Sequence, residues 1–82
     1  MAVMSILLPE ISDVAEFVNI MSQFPYEAQL HVGNYSVDAK SIMGIFTLDR
    51  EQPIQLELQT TNEAALNKLS EGLNRFLYKP VH

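Results

Sequence analysis

Apolar and polar positions change period several times along the chain, and each change marks an element. Ile54, Leu56 and Leu58 alternate strictly with Gln55, Glu57 and Gln59, the two-residue period of a strand buried on one face only. Ala28, Leu30 and Val32 alternate in the same way with Gln29 and His31, and Tyr35, Val37 and Ala39 resume the alternation after Gly33-Asn34. That spacing predicts a hairpin with one apolar face. Glycine as the first turn residue favours a type II′ turn, whose first central residue takes positive φ. The apolar stretch from Ala2 to Leu8 reads as a further strand.

Elsewhere the period lengthens to that of a helix. Asp13 and Glu16 have the three-residue spacing of a capping box, and Val14, Phe17, Val18, Met21 and Phe24 follow at helical intervals, predicting a helix over 13–23 that Pro25 terminates. Ser41 is placed to cap a short helix over 42–48, apolar on nearly every side, so part of it must face solvent or a partner. Thr60 and Glu63 suggest a second capping box. Ala65, Leu66, Leu69, Leu73, Phe76 and Leu77 then form the stripe of a last helix, expected to end near Tyr78. Strands with one polar face can carry helices on the other face only. The expectation is therefore a two-layer α+β sandwich, a four-stranded antiparallel sheet with three helices in the order β-α-β-β-α-β-α.

Composition narrows the function. The 82 residues suit a single domain over 1–82, and 48% hydrophobic against 18% charged residues is a globular balance. Net charge is -5, and the five cations (Lys40, Arg50, Lys68, Arg75, Lys79) form no stripe. Neither nucleic acid nor an anionic membrane is an expected partner. Without cysteine there are no disulfides or thiolate metal sites, which suits a cytoplasmic location. The apolar N-terminus lacks a basic leader, and no run is long enough to span a bilayer.

The segment Val37-Asp38-Ala39-Lys40-Ser41-Ile42-Met43-Gly44-Ile45-Phe46-Thr47-Leu48 resembles the surroundings of the regulatory serine in HPr, the histidine-containing phosphocarrier of the bacterial sugar phosphotransferase system. The order of elements matches as well, so the resemblance implies an HPr-like open-faced sandwich across nearly the whole chain. In that family the loop after the first strand carries a Gly-x-His-x-Arg-Pro motif whose histidine accepts a phosphoryl group. Counting back from Ser41 without gaps sets Glu10 at the histidine, Ser12 at the arginine and Asp13 at the proline. Alternatively the strand runs from Ala2 to Leu8 and the loop is shortened. On either reading the nucleophile is missing, as in the catabolite-repression HPr-like protein, and acidic residues repel an incoming phosphoryl group.

What the resemblance then implies is a non-catalytic module with no cofactor, no metal site and no enzymatic role. Ser41 is the candidate for regulatory phosphorylation, since the family's serine is modified by a dedicated kinase and then recruits a transcriptional regulator. Ile42, Met43 and Phe46 are the candidate protein-interaction residues, with core packing claiming Ile45. The expected partner is a protein: a regulator, a kinase or another phosphotransferase component. The alternative is a structural domain that self-associates as a homodimer supported by the same apolar helix and the short first strand. His31 is expected on the exposed face of the sheet and His82 to fray at the C-terminus. Glu10, Asp13 and Glu16 read as capping and dipole compensation.

Overall fold

The structure, a computed structural model, describes residues 2–78; His82 lies outside them. Four strands, β1 (Ala2–Ile6), β2 (Ala28–Val32), β3 (Tyr35–Asp38) and β4 (Ile54–Leu58), form one antiparallel sheet in the order β1-β4-β2-β3. Because β4 lies between β1 and β2, these two run parallel without touching, joined by helix α1 (Ile11–Met21). Likewise β3 and β4 flank β2 and are joined by α2 (Ile42–Phe46), while α3 (Glu63–Gly72) follows β4. This is the α+β open-faced sandwich expected from the sequence.

Register explains why all three helices share one side. Met4, Leu56, Leu30 and Val37 stand opposite one another across the sheet, as do Ala2, Leu58 and Ala28. The next positions along, Ser5, Gln55, His31 and Ser36, form a polar row on the opposite face. Onto the apolar rows α1 brings Val14, Phe17 and Met21, α2 brings Ile45, and α3 brings Leu69, all buried. Each of the larger side chains gains about 1.5–3 kcal/mol by leaving water. Phe17 meets Phe76 edge to face, with centroids 6.4 Å apart, the arrangement favoured by the ring quadrupoles.

Several boundaries differ from the sequence expectation, each for a local reason. α1 begins two residues early, because Glu10 rather than Asp13 is the N-cap; Asp13 sits three residues in and its carboxylate accepts the Glu10 N–H at 3.1 Å. Asp13 and Glu16 are thus not a capping pair. Both carboxylates instead hold Arg75, which they keep above its ordinary pKa, Glu16 contributing most and Asp13 next. α1 also closes at Met21, where a turn carries Phe24 inward ahead of Pro25. For α3 the cap is Asn62, whose side chain accepts the Ala65 N–H; Thr60 Oγ1 accepts the Asn62 N–H one step earlier.

The last helix stops at Gly72 and gives way to a 3₁₀ turn, Asn74–Phe76, which keeps Phe76 in the core. From there the chain runs along the outer edge of β1. Leu7 N–H donates to Phe76 O and Tyr78 N–H to Ser5 O, both at 2.8 Å, and Leu77 bridges Ile6. The strand expected to reach Leu8 therefore ends at Ile6, its edge covered by these residues rather than left open to aggregation.

Gly33 has φ of +58° and Asn34 does not share the positive φ, in keeping with the type II′ turn predicted for the hairpin. Since a Cβ at Gly33 would meet nothing within 4 Å, the cost of Gly33→Ala is purely conformational. Urea denaturation is expected to show a loss of about 1–2 kcal/mol with unchanged m-value, whereas Tyr35→Ala, at a site 74% exposed, stays within about 0.5 kcal/mol.

Candidate functional site

Three segments converge at one end of the helix layer: the loop Leu7–Glu10, helix α2 and the turn after it. The backbone of Ser41 is extended as α2 begins, and its Oγ accepts the Gly44 N–H at 3.2 Å, so the serine is an N-cap on an exposed helix start. Gly44 lets the helix start sit close to its neighbours: a Cβ there would lie 3.1 Å from Ser41 Oγ and 3.3 Å from Val37 Cβ, both tight contacts. Lys40 is anchored by its Nζ to Phe24 O at 2.7 Å, which binds the entry of α2 to the segment following α1.

Five residues of helix cannot bury an apolar surface that runs all round them. Ile45 is fully buried, and Leu48 just beyond the helix nearly so, leaving Ile42 at 39%, Met43 at 79% and Phe46 at 41% exposure. The three residues singled out from the sequence thus lie together in an exposed strip beside Ser41. Ile11, 69% exposed, adds an apolar side chain at the start of α1, the helix against which α2 packs.

Arg50 carries a role with no local sequence signal. Its guanidinium lies over the Phe46 ring at 5.4 Å, a cation–π distance, while Nη1 donates to Leu8 O at 3.0 Å and Pro9 O at 3.3 Å. One side chain thereby ties the exposed strip to the short β1–α1 loop. The only hint in the sequence is a single cation inside an acidic turn, Asp49-Arg50-Glu51. Immediately after Pro9 comes Glu10, exposed at the cap of α1. The position that the gapless count pairs with the family histidine is thus a helix N-terminus, occupied by a carboxylate. A full five-residue β1 still precedes it because only Leu7–Pro9 intervene.

His31 lies on the other side of the sheet. Its Nδ1 is 2.7 Å from Ser36 Oγ, and its Nε2 is buried, 3.4 Å from Glu57 Oε2. A nitrogen facing a carboxylate at that distance is poorly placed to attack a phosphoryl group. Among the described residues no group of His, Asp and Glu side chains could hold a metal ion, and no helix is long and apolar enough to cross a membrane. A separate groove of about 540 Å³ runs between α1 and α3, lined by Ile20, Phe24, Pro25, Lys68 and Leu69 among others, and involves neither α2 nor the β1–α1 loop.

Comparison with known proteins bears on both fold and site. A sequence profile of the PTS HPr family, described as the PTS HPr component phosphorylation site, matches residues 12–75, beginning just past Glu10. No curated protein matches. Among solved structures the chain is similar to HPr-C-His from Thermoanaerobacter tengcongensis, with a TM-score of 0.70 and 28% identity over 87% of this chain and 89% of that one. HPr proteins are phosphocarriers that work by contact with other phosphotransferase proteins, and the profile covers most of this fold, including α2 and Ser41. The chain belongs to the HPr family of the phosphotransferase system.

Proposed function

We propose that this chain is a docking module of the phosphotransferase system that carries no phosphohistidine, engages a protein through Ile42, Met43 and Phe46, and is switched at Ser41. The observation that carries the reading is the exposed apolar strip of α2 with the serine at its head. A phosphate on Ser41 would stand where backbone N–H groups are exposed and would alter the charge of the strip's border. The phosphocarrier reading lacks its nucleophile: the only histidine among the described residues, His31, is engaged with Ser36 and Glu57 on the opposite face of the sheet.

Two measurements test the proposal. Incubation with an HPr kinase and ATP, read by intact mass, is expected to add one phosphate to wild type. Ser41→Asn, which keeps a capping side chain, is expected to add none; an unmodified wild type removes the switch. The strip itself makes a stability prediction. Because Met43 is held for contact with another protein, Met43→Ala leaves the urea midpoint equivalent to within about 0.5 kcal/mol, whereas Ile45→Ala opens a core cavity and costs about 2–5 kcal/mol. Comparable losses at both positions would show that Met43 serves packing.

A further inference from the structure

The docking reading leaves open what kind of surface the strip meets, and the charges around it answer that. Lys40 is bound to Phe24 O, Arg75 to Asp13 and Glu16, and Arg50 to the carbonyls of Leu8 and Pro9. Lys68 belongs to the groove between α1 and α3, and Lys79 lies outside the described residues. Each of the two described cations at the strip is held to backbone oxygen, Lys40 through Nζ and Arg50 through Nη1.

The anions are placed differently. Glu10 is exposed at the cap of α1, directly after the carbonyl that Arg50 holds. Asp49 and Glu51, both exposed, flank Arg50, which itself stacks on Phe46. Asp49 Oδ1 accepts the Glu51 N–H and Oδ2 the Gln52 side-chain amide, so the turn is ordered while Asp49 and Glu51 both stay exposed. Three carboxylates against one committed guanidinium give the strip an apolar centre and a net negative border.

Resting on the docking reading, we infer that the partner is a protein surface with an apolar pocket for Met43 and Phe46, bordered by Lys or Arg side chains facing Glu10, Asp49 and Glu51. An interface excludes charge from its centre and pairs it at the rim, where complementary potentials steer association and like charges forbid it. The same border rejects an anionic lipid surface. It also disfavours a second copy, since pairing through α2 sets each acidic border against its like.

Two amphipathic helical peptides of one length, sharing a leucine face and bearing lysine or glutamate on the other, separate the terms. Each is titrated into the isotopically labelled full chain at low salt, and amide shifts are followed. The lysine peptide is expected to move the amides of Ile42–Phe46 and Glu10–Ser12, and the glutamate peptide to bind at least about fivefold more weakly. Raising salt is expected to erase that difference. Glu51→Lys and Glu10→Gln, each checked for an unchanged fold by the remaining amides, are expected to lower lysine-peptide affinity about two- to fivefold. Equal affinity for the two peptides, with the shifts still on α2, overturns the basic partner but leaves the docking strip standing. Shifts confined to the α1–α3 groove or the open sheet face overturn both. Concentration-dependent shifts of the α2 amides without peptide assign the strip to a second copy and overturn the inference.

Discussion

Everything on the helix side of this protein is organised by the aliphatic rows that β4 and β2 present to it. Leu56 and Leu58 on β4 face Leu30 and Ala28 on β2, with Met4 and Ala2 beyond them, and the alternate positions are polar save Val3 on the edge strand β1. A sheet with one wet face can hold helices on the other face only. α1 and α3 are long enough to turn a stripe inward and a polar side outward. α2 spans five residues, IMGIF, with no polar side. It covers the sheet with Ile45 and leaves Ile42, Met43 and Phe46 outside. The exposed strip is thus a geometric consequence of placing so short and so apolar a helix on a one-sided sheet.

That consequence is kept in place by polar contacts of long sequence separation. Lys40 fastens the start of α2 to Phe24 O, and Arg50 fastens its end to Leu8 O and Pro9 O. Through Arg50 the strip and the β1–α1 loop become one surface. The family's phosphoryl chemistry would place an imidazole at the helix end that follows this loop. Here Glu10 caps that end, Asp13 lies in its first turn, and the nearby Arg50 donates its Nη1 to the backbone carbonyls of Leu8 and Pro9. The positive end of a helix that could stabilise an anion is already answered by the protein's own carboxylates.

How much of this was legible in the sequence depended on whether the signal was local. The strands were, since a period of two with one polar phase specifies both the element and its buried face, and β4 and β2 appear as read. The strip was legible too, because a helix apolar on all sides must expose something. Asp13 and Glu16 misled because their spacing suits a cap, yet their partner is Arg75, some sixty residues further on. The end of the last helix was hidden by its own stripe: Leu73 and Phe76 keep helical spacing through Gly72, and the 3₁₀ turn buries them equally well. Arg50 had no signal beyond its place as a lone cation in an acidic turn, because its partners are carbonyl oxygens of residues 8 and 9 that no side-chain pattern records.

On the proposed function, the working surface of this HPr fold is α2 rather than a phosphorylated loop. The most direct measurement is incubation of the full chain with enzyme I and phosphoenolpyruvate, followed by intact-mass analysis at alkaline pH, where phosphohistidine survives, beside a histidine-bearing HPr as positive control. The account predicts no phosphate on this chain while the control is fully modified. A gain of one phosphate, acid-labile and lost in His31→Gln, would contradict it.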